Sequence, residues 1–320
     1  MEFDKSKKIL VIGRAGMDIY PEPPGTKISE VKNFSTHLGG SAANTCVALS
    51  RLGFRTELLT CVSEDAIGEY IFEKLKEYNV GSNLCRKVDN KFQTQVAVVE
   101  TILKDNQSIL YRNNSCDLQL NQNDIDNINF QDYTAVFISG TALSSNPSRD
   151  AVFFASQKAK QIGIPQIIDL DYRPYNWESD EIKSNIYKKI MSEMDIIIGN
   201  DLEFNIADNS NEGFQLAKSF IKEKPSIIIY KMGENGSRVI TKENELNFGI
   251  FKVKAIKPTG AGDAFNGGFI SSILHRFSLE DSIKRASACA AIVVTRVGCS
   301  SAMPTINEVN YFMSKNSINT

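Results

Sequence analysis

The chain has 320 residues, of which 42% are hydrophobic and 23% are charged, and its formal net charge is −2. This composition is ordinary for a soluble globular protein, and the length suffices to bury a core without disulfides or a structural metal. The near-neutral charge excludes a global field that recruits nucleic acid or an anionic membrane. Any bound anion must therefore be held by a local arrangement of donors.

The six cysteines form no CxxC pair and lie mostly in apolar runs, which predicts buried free thiols in a reducing compartment. The two histidines, His37 and His275, show no zinc-binding spacing. No apolar run is long enough to span a bilayer, and the first residues lack the apolar stretch of a signal peptide. We therefore expect a cytoplasmic protein.

Runs rich in Ile and Val alternate with amphipathic segments of helical length. The predicted strands lie at 8–13, 56–62, 135–140, 165–171, 195–200 and 226–233. The predicted helices lie at 41–52, 66–78, 148–162, 181–193, 212–223, 262–276 and 280–295. Continuous apolar strands suit a parallel sheet covered on both faces, so the alternation predicts an α/β fold.

Two regions lack crossover helices. One is 14–38, and the other is a hairpin at 94–112 around the sequence KDNQ. These strands predict a small second sheet, placed as a lid over the carboxyl ends of the main strands, because ligands bind there in open α/β sheets. We therefore predict one domain over 1–320, with a β-lid formed by about 14–38 and 92–115.

The sequence TGAGDAFNGG, at 259–268, precedes an apolar helical stretch. Glycines before a helix permit tight backbone conformations, and the free amides with the helix macrodipole suit a phosphate. A structural turn with Asp263 as a helix-start acid fits the spacing equally well. The spacing matches neither GxxxxGK[ST] nor GxGxxG, which argues against a Walker-type NTPase and a Rossmann dehydrogenase.

A second glycine-rich helix start is LGGSAANTCVALSRLG, at 38–53. Gly39 and Gly40 form the turn, and Asn44 lies one helical turn later. A capping loop explains this pattern on its own. Close approach of a polar small molecule, hydrogen-bonded to Asn44, is the alternative.

Further candidate residues follow predicted strands and the hairpin. Most of them are polar, and for each of these alone a solvated charge in a loop is an adequate explanation. Their common placement favours convergence on one crevice. These residues are Arg14, Asp18, Tyr111, Arg112, Arg173, Asn200, Glu203, Lys231, Gly233 and Gly236.

Together, GGSAAN, TGAGDAFNGG, NDLE and KMGENG resemble the ribokinase-like (PfkB) family of carbohydrate kinases, over roughly residues 8 to 305. The resemblance implies an α/β three-layer sandwich with a mainly parallel central sheet and a small β-sheet lid. It also implies ATP-dependent phosphorylation of a terminal hydroxyl and, in many members, a homodimer formed through the lid.

Residue by residue, Asp263 matches the catalytic base of the family, and Gly260, Ala261 and Gly262 match the anion hole. The resemblance assigns sugar binding to Asp18, Gly39, Gly40 and Asn44, and contacts with the acid or the phosphates to Arg112 and Arg173. Arg14 and Tyr111 are further candidates for substrate binding. It assigns nucleotide binding to Asn200, Lys231, Gly233, Gly236, Thr259 and Gly262. Glu203 matches the residue that organises Mg²⁺, through water.

Within the family, GRAGMDIYP, DLDYRPYNW and CSSAMPT resemble the branch that phosphorylates 5-dehydro-2-deoxygluconate in inositol catabolism. The alternatives are a kinase of 2-keto-3-deoxygluconate or fructose and, in a different class, a non-catalytic sugar- or nucleotide-binding regulator. The intact GAGD sequence argues against a regulator, which needs no base.

Lys257 departs from the family pattern. Members that bind a monovalent cation often have an acid six residues before the base, where this chain has Lys257. We expect the ammonium to take the place of the cation, so that potassium activates weakly.

Overall fold

A computed structural model describes residues 3–89, 91–103 and 107–319. In chain order, the strands are β1 Lys8–Ile12, β2 Gly16–Glu22, β3 Asn33–Gly39, β4 Thr56–Ser63, β5 Cys85–Val88, β6 Gln95–Val99, β7 Ser108–Tyr111, β8 Tyr133–Ser139, β9 Gln166–Asp169, β10 Ile196–Asn200, β11 Ile227–Lys231, β12 Ser237–Thr241 and β13 Glu245–Phe248. The helices are α1 Ser41–Arg51, α2 Ala66–Glu77, α3 Gln122–Asp126, α4 Ser148–Ile162, α5 Asp180–Met191, α6 Asp201–Asp208, α7 Gly213–Phe220, α8 Ala261–Leu274, α9 Leu279–Val293 and α10 Ile306–Lys315.

The chain divides into two compact units. The first is formed by Met1–Gly13, Leu118–Ile250 and Asn319–Thr320, and the second by Arg14–Asp117 and Phe251–Ile318.

The first unit is built on a mainly parallel sheet with the strand order β13-β12-β11-β10-β9-β8-β1. Strands β1 and β8 to β11 run parallel, whereas β12 and β13 are antiparallel. The three isoleucines of β10, at 196–198, are fully buried, as expected for a strand covered on both faces. Burial of each such side chain contributes about 1.5–3 kcal/mol.

The second unit contains the parallel pair β4–β5 and a separate four-stranded sheet in the order β3-β2-β6-β7. In the latter, β2 pairs parallel with β6, while β2–β3 and β6–β7 are antiparallel. The predicted hairpin is thus present as β6 and β7, and its turn at 104–106 lies outside the described residues. One face of this sheet buries Tyr20, Ala97 and Val99.

Two glycines of the second motif serve helix packing. A Cβ on Gly267 of α8 would overlap Ala48 of α1, and one on Gly268 would lie 2.9 Å from the Cα of Ala286 in α9. Because protein interiors are close-packed, side chains at these two positions would push the helices apart. These glycines therefore set the distance at which α1 and α9 pack on α8.

Every predicted strand and helix is present, with bounds shifted by a few residues. The α/β class, with a mainly parallel sheet and a smaller β-sheet, is confirmed. Helices α3, α6 and α10 were not predicted, and the single domain and the lid placement stay predictions. Among the described residues the six cysteines form no disulfide, and no helix there has both the length and the hydropathy needed to cross a bilayer.

Candidate active site

The start of α8 has the backbone of an anion-binding turn. Gly260 precedes the helix with a φ of +83°, in the left-handed region that glycine adopts at little cost. The amides of Ala261 and Gly262 open the helix and have no intrahelical acceptors. Together with the macrodipole they form an end suited to a negative group. Asp263 lies half-buried in this first turn.

Asn44 of α1 contacts that carboxylate. Its Nδ2 donates to the Oδ2 of Asp263 at 2.8 Å, and its Oδ1 accepts from the Oγ of Ser300 at 3.0 Å. The two contacts fix which end of the amide faces Asp263. Helix α1 begins after Gly40, whose φ is +91° and where a Cβ would lie 2.5 Å from the Arg14 carbonyl oxygen. The first glycine-rich motif therefore places Asn44 against the second.

Asp18 is a buried carboxylate on β2. A Cβ on Gly39 would overlap it, so Gly39 leaves the space that the carboxylate fills. Burial raises the pKa of Asp18 to about 6, and the nearby charge of Arg14 opposes the rise. The Tyr20 hydroxyl donates to Asp18 over a long 3.4 Å. Asp18 therefore changes charge close to neutral pH.

Lys257 is completely buried just before the turn, and its ammonium donates to the carbonyl oxygen of Thr259. Burial lowers the pKa of Lys257, while Cys299, Asp18 and Asp263 act to raise it. The cation and the carboxylates at 18 and 263 thus belong to one electrostatic group.

Cys299 and Tyr20 complete this group, although no role was predicted for either of them. The Tyr20 hydroxyl and the Cys299 Sγ lie 3.2 Å apart. Burial raises the pKa of Cys299 to about 12, so the thiol is neutral near pH 7. We call the residues of this group the Asp263 cluster: Asp18, Tyr20, Asn44, Lys257, Asp263, Cys299 and Ser300.

Arg14 and Arg112, the two arginines of the second unit that were predicted to bind substrate, both contact other side chains of the protein. The Nη1 of Arg14 donates to Oε1 of Gln95 at 2.8 Å. Arg112 forms a buried ion pair with Asp117, with 2.6 Å between Nη2 and Oδ2. Removing one partner of such a pair leaves a buried charge, which is strongly destabilising. Tyr111 is exposed on β7. Substrate contacts for all three stay predictions.

In the first unit, polar side chains end four adjacent parallel strands. Ser139, Asp169, Asn200 and Lys231 are the last residues of β8, β9, β10 and β11. The Nζ of Lys231 lies 3.2 Å from Oδ1 of Asp169. Burial lowers the pKa of Lys231, but Asp169 and Glu203 outweigh it and leave the pKa raised. The ammonium therefore stays charged near neutral pH.

Glu203 and Asn200 cap α6 reciprocally. The Glu203 amide donates to Oδ1 of Asn200 at 2.9 Å, and the Asn200 amide donates to Oε2 of Glu203 at 2.7 Å. This N-x-x-E capping box is the signal from which α6 could have been predicted. Burial and the neighbouring Asp169 raise the pKa of Glu203 to about 7, although Lys231 opposes the shift.

Arg173 follows β9 and is held by Asp171. The Nη2 of Arg173 lies 3.1 Å from Oδ1 of Asp171, and Oδ2 of Asp171 accepts from the Ser139 hydroxyl at 2.8 Å. Asp171 has a positive φ of 35° and is buried, whereas the Arg173 side chain is 39% exposed. Asp171 therefore positions a partly exposed guanidinium. We call Ser139, Asp169, Asp171, Arg173, Asn200, Glu203 and Lys231 the Lys231 cluster.

The glycines at 233 and 236 follow β11 with φ of +57° and +84°. A Cβ on Gly233 would meet no atom within 4 Å, so a ligand can approach the backbone there. At the other motif, the Thr259 hydroxyl is buried without a hydrogen-bond partner among the described residues. Within the first unit, Lys231 and these glycines fit a nucleotide that carries phosphates. Within the second unit, the Thr259 hydroxyl is a donor that a phosphate could satisfy.

The described residues support a magnesium site less directly than they support a site for nucleotide phosphates. Through residues 3–89, 91–103 and 107–319, no three His, Cys, Asp or Glu side chains are arranged to hold a metal ion. Mg²⁺ commonly keeps several waters and binds through one or two carboxylates plus substrate phosphates. Glu203 and Asp169 are carboxylates of that kind, and they lie near Lys231.

The structure thus brings Asp18, Asn44 and Asp263 together in the second unit, and Arg173, Asn200, Glu203 and Lys231 in the first. Tyr111 and Arg112 lie in neither cluster. Sequence reasoning missed Tyr20, Cys299 and Ser300 in the second unit, and Ser139, Asp169 and Asp171 in the first. The first three lie in the GRAGMDIYP and CSSAMPT sequences, but only the tertiary fold places them beside Asp18 and Asn44. The last three stand at or just beyond strand ends, the criterion that identified Asn200 and Lys231.

The family model described as "pfkB family carbohydrate kinase" matches residues 6–306. A 5-dehydro-2-deoxygluconokinase from Photobacterium profundum is 35% identical over 312 residues, which cover 95% of this chain and 94% of that protein. The protein of the same name from Clostridium perfringens is 34% identical, with 98% of this chain and 96% of that protein covered.

Solved structures show the same fold. A fructokinase with bound ATP from Xylella fastidiosa matches with a TM-score of 0.85 at 21% identity. A putative ribokinase II from E. coli in complex with ATP and Mg²⁺ matches with a TM-score of 0.86 at 22% identity. Each match covers 97% of this chain and 99% of the other. With its glycine-rich helix starts, buried Asp18 and Asn44–Asp263 contact, the chain belongs to the pfkB family of carbohydrate kinases.

Proposed function

We propose that this chain is an ATP-dependent kinase that phosphorylates the terminal hydroxyl of 5-dehydro-2-deoxy-D-gluconate, a step of myo-inositol catabolism in the cytoplasm. The observation that carries the proposal is the 2.8 Å hydrogen bond from Asn44 to Asp263 at the start of α8. This hydrogen bond holds the Asp263 carboxylate beside the backbone amides that open α8. Phosphoryl transfer depends mainly on such positioning and on electrostatic stabilisation. The relatives that bear this enzyme name support the choice of substrate.

Asp263 acts as the base. Its carboxylate accepts a hydrogen bond from the terminal hydroxyl of the sugar, orients the oxygen for attack and takes its proton late in a loose transition state. The amides of Gly260, Ala261 and Gly262 stabilise the charge that develops on the transferring group. Asn44 keeps the carboxylate in one orientation.

The sugar is bound by Asp18 and Asn44, with Gly39 and Gly40 allowing close approach of the backbone. An ionised Asp18 accepts hydrogen bonds from sugar hydroxyls, and such charge-assisted bonds are about twice as strong as neutral ones. Because its pKa is about 6, Asp18 is mostly ionised at pH 7. Sugar binding should therefore weaken below pH 6.

A carboxylate on the substrate requires a cationic partner. Arg173 is our first choice, because it is partly exposed and oriented by Asp171. A planar guanidinium matches a carboxylate in two hydrogen bonds. In the second unit, Arg14, Tyr111 and Arg112 are further proposed substrate-binding residues, Arg112 by exchanging part of its contact with Asp117.

As nucleotide-binding residues we propose Lys231, Gly233, Gly236 and Asn200 in the first unit. In the second unit we propose Thr259 and Gly262. ATP, when bound, would supply the phosphoryl group. Glu203 would hold Mg²⁺ through water, and the ion would offset the charge of the phosphates. Because the pKa of Glu203 is about 7, its carboxylate would be a better partner for the hydrated ion as the pH rises.

We further propose a homodimer formed through the four-stranded sheet. Besides the face that buries Tyr20, this sheet has exposed hydrophobic side chains at Phe34, Ile109 and Tyr111. The register places Tyr111 opposite Val96 and Ile109 opposite Val98, so these side chains share one face. A second copy of the chain would cover this face.

The test is a coupled ADP-release assay on the purified protein with a panel of acceptors. The panel contains 5-dehydro-2-deoxygluconate, 2-keto-3-deoxygluconate, fructose and ribose, each with ATP and Mg²⁺. We expect the highest kcat/KM for 5-dehydro-2-deoxygluconate and ATP-dependent mass gain of that acceptor. The Asp263→Asn variant is the control for contaminating kinases.

A higher kcat/KM for 2-keto-3-deoxygluconate or fructose would assign the chain to another branch of the family. Sugar binding by calorimetry without ADP release from any acceptor would instead indicate a regulator.

A further inference from the structure

A completely buried lysine is rare in a protein, because removing an ammonium from water is costly. Lys257 is such a residue, placed two positions before the turn that opens α8. Its Nζ donates to the carbonyl oxygen of Thr259. Stability alone explains this choice poorly, since apolar side chains of similar volume often replace buried charges without loss.

The contact has a direct geometric consequence. The Thr259 carbonyl and the Gly260 amide belong to one planar trans peptide group, in which C=O and N–H point in opposite directions. An ammonium that fixes the oxygen therefore fixes the direction of the Gly260 N–H. The left-handed φ of Gly260, +83°, then sets the orientation of the amides that follow.

The charge of Lys257 also interacts with the two carboxylates of the Asp263 cluster. Asp18 on β2 and Asp263 on α8 both act on its ammonium, and the third neighbour, Cys299, is a neutral thiol. In the other direction, Lys257 favours the ionised form of Asp18, together with Arg14, Tyr20 and Cys299.

We propose that Lys257 is a positioning residue of phosphoryl transfer: its buried ammonium holds the Thr259 carbonyl so that the amides at 260–262 face the transferring phosphate. This inference rests on the proposed function, in which those amides form the anion hole. It adds a residue that touches neither substrate and acts through the backbone and through Asp18.

The test compares Lys257→Met, which removes the charge and the donor, with Lys257→Gln, which keeps an N–H donor without charge. Lys183→Met is the matched control, because Lys183 is also buried and pairs with Asp180 at 2.6 Å in the first unit. Circular dichroism and thermal melts establish folding. Calorimetry then measures the affinity for ADP and for the non-hydrolysable analogue AMP-PNP, and the coupled assay measures kcat and the pH profile.

We expect Lys257→Met to lose about 10- to 100-fold in kcat, as misplacement of reacting groups by ~1 Å does. AMP-PNP should lose affinity while ADP does not, because the turn meets the transferring phosphate. The acidic limb of kcat/KM should move to higher pH, since Asp18 loses a neighbouring cation. Lys257→Gln should lose less kcat and show the same move of the limb.

Three results would overturn the proposal: native kcat in Lys257→Met, an equal loss of affinity for ADP and AMP-PNP, or an unmoved acidic limb in folded Lys257→Gln. If Lys257→Met does not fold, Lys257→Gln decides by the same measurements. If the native protein phosphorylates no acceptor in the panel, the proposed function fails, and the AMP-PNP to ADP comparison still tests the role of Lys257 in the turn.

Discussion

Asn44 donates to the carboxylate of Asp263 across 219 positions of sequence, at a distance of 2.8 Å. Each residue stands in the first turns of a helix that follows a left-handed glycine, Gly40 for α1 and Gly260 for α8. The two glycine-rich motifs are therefore halves of one arrangement. A structural turn would explain either motif separately, but it would not explain why a polar side chain of one is directed at the acid of the other.

Asp263→Asn should lower kcat by about 100-fold or more, the range for loss of a general base. The amide can still accept from Asn44, so we expect little change in the melting temperature or in the KM for the sugar acid. Steady-state kinetics with a thermal melt check this. Turnover near that of the native protein would show that another group takes the proton.

The sequence predicted the strands and most helices because their apolar runs have the right length and period, as in the isoleucines of β10. It missed α6 because NDLE was interpreted as a strand end and not as a capping box. It proposed Asp18, Asn44, Lys231 and Asp263 from strand ends and glycines. The contacts of Tyr20 with Cys299 and of Lys231 with Asp169 depend on tertiary packing, which no local pattern encodes.

Arg173→Ala should raise the KM for the sugar acid by about 10- to 100-fold, since a hydrogen bond to a charged group is worth about 1.5–3 kcal/mol. The KM for a neutral sugar such as fructose should change far less. Competition assays with both acceptors measure the difference. Equal effects on both acceptors would remove Arg173 from carboxylate recognition.

Asp171→Asn provides a matched comparison. The amide keeps the shape of the side chain and can accept from Ser139, but the charge that holds Arg173 is lost. We expect a smaller rise in KM than for Arg173→Ala, in the same direction and again confined to the sugar acid.

Asp18 should make the native protein less stable as pH rises. Its pKa is about 6 in the folded protein, against an ordinary value of 3.8 for an aspartate side chain. Between these values the folded state binds more protons than the unfolded state, so the free energy of unfolding falls as pH increases through this window. The two-unit difference corresponds to about 3 kcal/mol.

The comparison of native protein with Asp18→Asn isolates this effect, because the variant keeps every other titrating group. Urea unfolding at pH 4, 5, 6 and 7 should show the native protein losing stability relative to the variant until about pH 6. A constant difference between the two proteins across that range would contradict a raised pKa for Asp18.

Glu203→Gln should separate helix capping from metal binding. Glutamine at the third helical position maintains a capping box, so we expect a small change in melting temperature. The Mg²⁺ concentration for half-maximal activity should rise about tenfold or more, as for loss of an outer-shell partner. Glu203→Ala should add a loss of about 0.5–2 kcal/mol of stability. An unchanged Mg²⁺ requirement in Glu203→Gln would exclude Glu203 from the metal site.

We expect potassium to activate the native protein only weakly, because Lys257 stands where cation-binding members of the family often have an acid. The measurement is initial rate against KCl, with tetramethylammonium chloride holding the ionic strength constant. Native protein should show a shallow dependence, and Lys257→Ala should recover activity with potassium or ammonium, which are small enough to enter the space left by the ammonium. Strong potassium dependence of the native protein would mean that a separate cation site exists and that Lys257 does not replace it.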